Sequence, residues 1–340
     1  MGAKSARMIK TSLFISGVAA VALIAGAAWA LGGFVPLVGA PVLALAAGVF
    51  IANAIRTPPA WRPGMDVTLK RLLRLAIILF GATLSLSQVL RIGAGSLLVL
   101  LVTILLALSL TALFGRWLRA PAGLVSLIGV GTAICGATAI LTVGPIIESK
   151  EEEIAFAVTT IFLFNMLAVV VYPLLGHVLG LSDAAFGVWA GAAIHDTSSV
   201  LAASFQFSEP AGQVATVVKL TRTLMLVPLA LAYGILHSYQ KSRQGADGGA
   251  RVNIVKIFPW FILWFVLAAV LNTAGVLQGP VVRAASLAGR FLVVMVMAAV
   301  GLSADLRSMR EIGLRPLYVG LAASVMIAAV SIVLVRSFAG

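Results

Sequence analysis

The segment "GAAIHDTSSV", residues 191–200, places an imidazole, a carboxylate and three hydroxyls in succession. It lies inside an apolar run that extends from residue 184 to residue 205. A carboxylate at the centre of a bilayer costs at least about 2.5–3.5 kcal/mol, so such a residue is retained where it has partners or a role. His195 and Asp196 therefore mark the first candidate site in this chain.

A similar pattern occurs 60 residues earlier. The segment "GTAICGATAIL" (131–141) aligns with "GAAIHDTSSVL" (191–201), with identical Gly, Ala, Ile and Leu residues at matching positions. A second alignment, at a shift of 220 residues, pairs 81–93 with 301–313. Both matches fall on unusual segments rich in glycine and hydroxyl groups. They predict an internal repeat.

The composition of the chain is typical of a membrane protein. Of its 340 residues, 61% are hydrophobic and 10% are charged, whereas soluble domains carry about 25% charged residues. Apolar segments long enough to cross a bilayer of about 30 Å recur from end to end. We predict an all-α polytopic membrane protein that forms one unit over residues 1–340, with apolar segments at 11–31, 36–54, 70–90, 96–115, 122–147, 152–175, 184–205, 213–237, 255–275, 285–304 and 316–337.

The net charge of +13 resides mainly in short loops between these segments. Positive loops remain on the cytoplasmic side of a membrane, so this distribution predicts orientation and argues against a nucleic-acid partner. Residues 238–254 are predicted to form a cytoplasmic linker. Three basic residues before the segment 11–31 place the N-terminus in the cytoplasm, and we expect this extra helix to stay uncleaved.

The segments 122–147 and 184–205 allow two architectures. If each is a re-entrant hairpin, the two enter the membrane from opposite faces, as inverted repeats require, and about nine spans remain. If each crosses the membrane as a broken helix, about eleven spans result. The absence of Lys and Arg from 176–183 favours the hairpins, because that loop then lies outside.

Broken helices in transporters direct N–H groups at anions and carbonyl groups at cations. Lys219 and Arg222 lie on one face of a helix inside an apolar segment, where they could offset an anion. Asp196 and Asn165 are the candidates for a coupling ion, and we predict no metal site. The candidate substrate-binding residues are Thr132, Cys135, Gly136, Thr138, His195, Thr197, Ser198, Ser199, Lys219 and Arg222.

Four segments resemble the YeiH family of bacterial inner-membrane proteins, which carries the label of sulfate exporters: "ICGATAI" (134–140), "GAAIHDTSSV" (191–200), "VKLTRTLMLVP" (218–228) and "MAAVGLSADLRSM" (297–309). The resemblance implies the superfamily of cation/proton antiporters and anion transporters, with inverted repeats and an inner-membrane location.

The superfamily pattern of five-helix repeats would divide the chain into halves, 36–175 and 184–337. It would make 285–304 the second broken helix, whereas the 60-residue repeat puts that break at 191–201. Both assignments stay open on the sequence alone.

These observations predict a secondary active transporter of a small anion such as sulfate or a sulfonate, working by alternating access coupled to H⁺ or Na⁺. Export is the direction that the family label implies, and the superfamily implies a homodimer. The alternatives are a cation carrier of the Na⁺/H⁺ type, an anion channel, a structural subunit, and an intramembrane enzyme in which His195 activates Ser198 or Ser199. We expect no enzymatic activity and no cofactor.

Overall fold

The computed structural model describes residues 3–35, 38–243, 252–307 and 314–339, and within them it is all-α. Seven helices are long and apolar enough to cross a membrane. The helices are α1 Ala3–Gly32, α2 Gly39–Ile51, α3 Arg62–Val67, α4 Leu73–Gly81, α5 Leu86–Trp117, α6 Ala122–Ala133, α7 Ala137–Ile146, α8 Glu151–Val178, α9 Asp183–Ala193, α10 Thr197–Phe207, α11 Glu209–Leu224, α12 Leu226–Arg243, α13 Ile254–Ile257, α14 Phe261–Thr273, α15 Gly279–Leu302 and α16 Leu314–Ala339.

The helices form two groups. Bundle A contains α1–α4, α14 and α15, and bundle B contains α5–α12 and α16. Small residues bring the helices of bundle A together: a Cβ on Gly301 would lie 2.3 Å from the carbonyl oxygen of Leu45, and one on Gly48 would lie 2.6 Å from that of Ala298. Only glycine permits this approach of α2 and α15, which is how apolar helices pack in lipid.

Helices α6 and α7 form a re-entrant hairpin, which we call hairpin 1 (122–146). Gly131 of α6 packs on Ile140 of α7, and Leu127 packs on Gly144, so the two helices run antiparallel. At its base, Gly123 lies against Glu153 at the start of α8. The chain therefore enters and leaves on one face.

Helices α9 and α10 form the second hairpin, hairpin 2 (183–207). Its two ends meet, because the Ser208 hydroxyl donates to the Asp183 carboxylate at 2.6 Å. Helix α11 then returns parallel to α9, with Gly187 against Val214 and Gly191 against Val218. The two hairpins enter from opposite faces, since the 28-residue helix α8 separates their bases. This is the hairpin architecture favoured by the sequence.

The second break therefore lies between α9 and α10, where the 60-residue repeat places it. Helix α15 is continuous from Gly279 to Leu302, so the expectation of a broken helix at 285–304 is wrong. The division into halves at 36–175 and 184–337 remains a prediction.

Contacts between loops define two faces. On the face that carries most basic loops, the basic face, Lys241 hydrogen-bonds Glu148 at 2.5 Å, and its ammonium holds the pKa of that carboxyl below the usual value. On the opposite face, the Leu86 N–H donates to Thr273 at 2.7 Å. The helices traverse from one face to the other in the order that the positive loops predict.

Two predicted boundaries are wrong. The segment 70–90 was expected as one span, but the helical stretch runs over 62–81 and α5 begins at Leu86. Ser85 causes the new start, because its hydroxyl accepts from the Gln88 N–H while the Gln88 side chain accepts from the Ser85 N–H. The linker 238–254 is also shorter than predicted, since α12 continues to Arg243; residues 244–251 lie outside the described part.

Candidate functional site

The tips of the two hairpins meet. Residues 134–136 interrupt hairpin 1 and residues 194–196 interrupt hairpin 2. Gly136 adopts a φ of +62°, which side-chain-bearing residues rarely adopt. A Cβ on Gly136 would lie 3.7 Å from the Cβ of Asp196. The Gly136 turn therefore packs against the residue that begins the second half of hairpin 2.

Lys219 of α11 ties the two tips together. Its ammonium donates to the carbonyl oxygens of Ile134 at 3.0 Å, Ile194 at 2.9 Å and His195 at 2.5 Å. These bonds use all three N–H donors of the ammonium. The side chain is fully buried. Lys219 thus completes the carbonyl ends of both interrupted helices, where a cation is stabilised by the helix dipole.

Arg222 lies one turn further along α11 and bonds the same region. Its Nε donates to the carbonyl oxygen of Ala133 at 2.7 Å and its Nη1 to that of Ile194 at 3.2 Å. Its Nη2 donates to the carbonyl oxygen of Thr132. The guanidinium is fully buried among these oxygens. The structure therefore bonds Lys219 and Arg222 to carbonyl oxygens of the tips, which they position. Their predicted role as substrate ligands stays a prediction.

Asn165 holds hairpin 2 from the other side. Its side-chain oxygen accepts from the N–H of His195 at 3.2 Å and of Asp196 at 3.0 Å. Only 5% of Asn165 is exposed. The amide oxygen therefore positions the tip. The predicted role of Asn165 as a ligand of the coupling ion stays a prediction.

Asp196 is the N-cap of α10. Its Oδ2 accepts from the N–H of Ser198 at 2.9 Å and of Ser199 at 3.3 Å, and from the Ser198 hydroxyl. His195 instead contacts α16, with its Nε2 2.8 Å from the Ser324 hydroxyl. In the described structure the His195 ring therefore bonds Ser324 and the Ser198 hydroxyl bonds Asp196, so these two residues do not bond one another.

A cavity of about 620 Å³, which we call the vestibule, ends at the two tips. From the hairpins it receives five polar side chains: Cys135, Thr138, Thr142, Asp196 and Thr197. Its other walls come from 69–77, from the start of α12 and from 252–261, and they supply three cations: Lys70, Arg74 and Lys256. Because Lys70 and Lys256 follow the basic loops, the vestibule lies on the side of the basic face.

The structure thus divides the predicted site residues into two sets. Those that line the vestibule are Cys135, Thr138, Asp196 and Thr197. The remainder surround the tips without lining it and are Thr132, Gly136, Asn165, His195, Ser198, Ser199, Lys219 and Arg222. Three residues of the vestibule were not predicted as site residues: Lys70, Arg74 and Lys256. Basic residues next to apolar segments indicate orientation in the membrane, which hides any second role.

The N-termini of α7 and α10 both begin at the tips. Asp196 caps α10, whereas the N-cap of α7, Gly136, has no side chain to offer its helix. Cys135 and Thr138, on either side of this end, both line the vestibule. The positive end of the α7 dipole therefore faces polar space, an arrangement suited to an anion.

Sequence comparison places this architecture in a family. The family described as Conserved hypothetical protein 698 matches residues 16–320. The chain belongs to this family. Its curated relatives include UPF0324 membrane proteins of Clostridium tetani (36% identical, covering 87% of this chain and 88% of the relative), Streptococcus mutans (36%, 94% and 95%) and Streptococcus pneumoniae (39%, 86% and 88%).

The Conserved hypothetical protein 698 family thus covers both hairpins, α11 and the vestibule. The predicted relationship to the YeiH family is confirmed. The relatives are named as membrane proteins, which agrees with the apolar helices described above. The chain is a multi-pass α-helical membrane protein.

Proposed function

We propose that this protein is a secondary transporter of a small anion in the bacterial inner membrane, with the basic face and the N-terminus in the cytoplasm. One observation carries the proposal. The vestibule contains three cations and ends at the tips of two hairpins that enter from opposite faces. Interrupted helices at membrane depth occur where they line a cavity, and transporters use them as substrate sites.

The anion enters past Lys70, Arg74 and Lys256, whose positive charge raises its local concentration. It then binds at the tips, where the N-terminus of α7 and the Thr138 and Thr197 hydroxyls supply donors. Sulfate or a sulfonate fits this set, because its oxygens accept several hydrogen bonds. Sulfate is also the anion that the family label names.

Asp196 couples the movement of the anion to that of a proton or Na⁺. Its carboxylate lines the same vestibule as the anion, so the two negative charges repel one another. The hydrogen bonds of the cap end on Oδ2, and Oδ1 is the atom that takes a proton or a Na⁺. Binding of that ion removes the repulsion, which links the occupancy of the two sites.

Alternating access follows from the contacts between bundles A and B. On the opposite face the bundles touch: Phe80 stacks on Phe205 with ring centroids 4.2 Å apart, and Gln213 donates to Thr83 at 3.4 Å. Glu209 there accepts from the Ser286 hydroxyl at 2.5 Å. On the basic face the vestibule separates the bundles. This conformation is inward-facing, and outward opening requires these three contacts to break.

The alternatives are less well supported. A channel needs a continuous polar path, and the Phe80–Phe205 stack adjoins hairpin 2 on the side away from the vestibule. A carrier of cations would have to attract its substrate past Lys70, Arg74 and Lys256. The family label of sulfate export agrees with an anion instead.

The test is transport by purified protein in proteoliposomes. Uptake of labelled sulfate, taurine or Na⁺ is measured with and without a pH gradient, for the wild type and for Arg74→Gln. Arg283→Gln, a neutralisation at the exposed start of α15, is the matched control. We expect saturable uptake of one anion that falls at least about tenfold in Arg74→Gln alone. Uptake of Na⁺ without any anion would refute the proposal.

A further inference from the structure

The walls of the vestibule differ in chemistry from its end. At the tips the lining side chains are polar, with Thr138, Asp196 and Thr197 among them. Away from the tips, three cations lie among lining residues that are mostly apolar. Attraction of an anion accounts for the cations and the polar tips, but it gives no role to the apolar walls.

One wall carries an apolar row beside a cationic row. Leu69, Leu73 and Ile77 recur every four residues. Lys70 and Arg74 follow the first two of them by one position. Residues four apart are neighbours on a helix surface, and all five side chains line the vestibule. This wall therefore offers apolar surface and positive charge side by side.

A second wall is aromatic, with Phe258, Trp260 and Phe261 in the lining. The rings of Phe258 and Trp260 meet edge to face with centroids 5.1 Å apart, and the Trp260 indole N–H donates to the carbonyl oxygen of Val255 at 3.0 Å. The guanidinium carbon of Arg74 lies 5.9 Å from the centre of the Phe261 ring. These contacts hold the aromatic side chains in place, so a ligand meets a surface that is already ordered.

The volume of the vestibule agrees with an organic ligand. At about 620 Å³ it lies within the range of about 300–1,000 Å³ that is typical of sites for organic molecules, which combine apolar walls with a few polar groups. An inorganic dianion gains nothing from apolar walls and loses hydration between them. A singly charged organic anion has less hydration to lose, and it removes its apolar part from water against these walls.

We propose that the transported substrate is an organic anion with one anionic head group and an apolar body of a few carbon atoms, such as an alkanesulfonate, rather than inorganic sulfate. This inference rests on the proposed function, because it requires that the vestibule holds the transported anion. The head group binds beside the hydroxyls of Thr138 and Thr197. The body lies along Leu73, Ile77 and Phe258, which select it by its apolar surface.

The test measures affinity along a series of ligands that share one head group. Purified protein in detergent is titrated with methanesulfonate, propanesulfonate, pentanesulfonate and sulfate, and each Kd follows from the rise of Tm with ligand concentration. We expect the affinity to rise about three- to fourfold with each added methylene, and sulfate to bind more weakly than propanesulfonate. Uptake of labelled propanesulfonate into proteoliposomes is expected as well, because the compound that binds is the one that is carried.

Two variants remove apolar surface from the walls, Leu73→Ala and Phe258→Ala. We expect each to bind pentanesulfonate at least about fivefold more weakly, with an unchanged Kd for methanesulfonate. The matched controls are Leu75→Ala on the same helix and Phe50→Ala on α2, whose side chains are 44% and 70% exposed and do not line the vestibule. Thermal unfolding without ligand shows whether each variant is folded, and Phe258→Ala serves if Leu73→Ala does not fold.

The outcomes separate this inference from the proposed function. The inference is overturned, and anion transport is not, if the affinity stays constant along the series or if sulfate binds more tightly than every sulfonate. The same holds if the two variants weaken methanesulfonate and pentanesulfonate equally, or if propanesulfonate binds without being taken up while sulfate is. If neither a sulfonate nor sulfate binds or is taken up, the inference and the proposed function fail together.

Discussion

Lys219 and Asn165 hold the same backbone segment through opposite groups. Lys219 donates to the carbonyl oxygens of Ile194 and His195, whereas Asn165 accepts from the N–H groups of His195 and Asp196. Hairpin 2 interrupts its helix here, so these groups lack partners within the helix. Each of these buried side chains supplies the hydrogen-bond partners that the interruption removes.

Replacing Lys219 with methionine is expected to destabilise the protein. The buried carbonyl oxygens of Ile134 and His195 lose their side-chain donor, and that of Ile194 keeps only its bond from Arg222. Each unsatisfied group costs about 1–3 kcal/mol. Thermal unfolding in detergent should show a Tm lower by several degrees, and transport should be lost. The neighbouring variant Thr221→Val, which removes a bond within α11 only, is the control. An unchanged Tm in Lys219→Met would contradict the positioning role.

Asn165 allows a finer comparison. Asn165→Asp keeps an oxygen acceptor for the two N–H groups, whereas Asn165→Leu removes it. We expect Asn165→Leu to lose transport and stability, and Asn165→Asp to retain the fold. If the leucine variant transports as fast as the wild type, the tip does not depend on this residue.

Asp196→Asn separates capping from coupling. Asparagine is as good an N-cap as aspartate, so α10 should remain intact and the Tm should change little. The asparagine side chain at this position carries no charge and binds no proton. We therefore expect the anion flux of the variant to lose its dependence on an imposed pH or Na⁺ gradient. Asp196→Ala is the control, because it loses the carboxylate and also about 1 kcal/mol of cap stability. A defect found only in the alanine variant therefore comes from the lost cap. A gradient dependence that persists in Asp196→Asn assigns the coupling elsewhere.

Cys135 reports access to the tips. It is the single cysteine of the chain, it lines the vestibule, and 4% of it is exposed. A small methanethiosulfonate reagent added from the basic face should label it slowly, and the transported anion should slow the reaction further. Thr138→Cys in a Cys135→Ser background lies on the more exposed side of the tip and should react faster. Labelling only from the opposite face would contradict the inward-facing assignment.

The contact of Thr83 with Gln213 gives a way to stop the cycle. Cysteines at both positions, in a Cys135→Ser background, lie where bundles A and B meet on the opposite face. A short thiol-specific crosslinker should trap the inward-facing state and abolish transport, and reduction of a cleavable linker should restore it. Each single cysteine treated with the same reagent is the control. Full transport by the crosslinked pair would show that this contact does not open.

The sequence predicted the class of fold and the position of both tips, because a polar segment inside an apolar run indicates an interrupted helix. It did not predict what Lys219 and Arg222 contact. Charge and helical spacing show that two cations share a face. The carbonyl oxygens that receive them come from hairpin 1, 85–90 residues away, and from hairpin 2, 24–28 residues away. Such partners depend on tertiary packing, which a repeat of 60 residues does not encode.

The boundaries at 81–86 were missed for a different reason. Thr83, Ser85 and Ser87 fall inside the predicted span 70–90. A serine followed three residues later by glutamine is nevertheless a helix-start signal. The role of Lys70 and Arg74 was hidden because a basic residue near a membrane surface has an ordinary explanation. Only the packing of 69–77 opposite the tips shows that Lys70 and Arg74 also line the vestibule.

Because Lys219 and Arg222 bond both hairpin tips at once, neither tip is free to move without the other. In the proposed transport cycle, the side chains of Cys135, Thr138 and Asp196 would therefore move together with α11 as one rigid unit. The distance from Cys135 to Asp196 should stay constant through the cycle, while the distance from Cys135 to Lys70 changes as bundle B passes bundle A. The anion would cross the membrane while still bound to its ligands. Bundle A would stay in place and would separate the two aqueous sides.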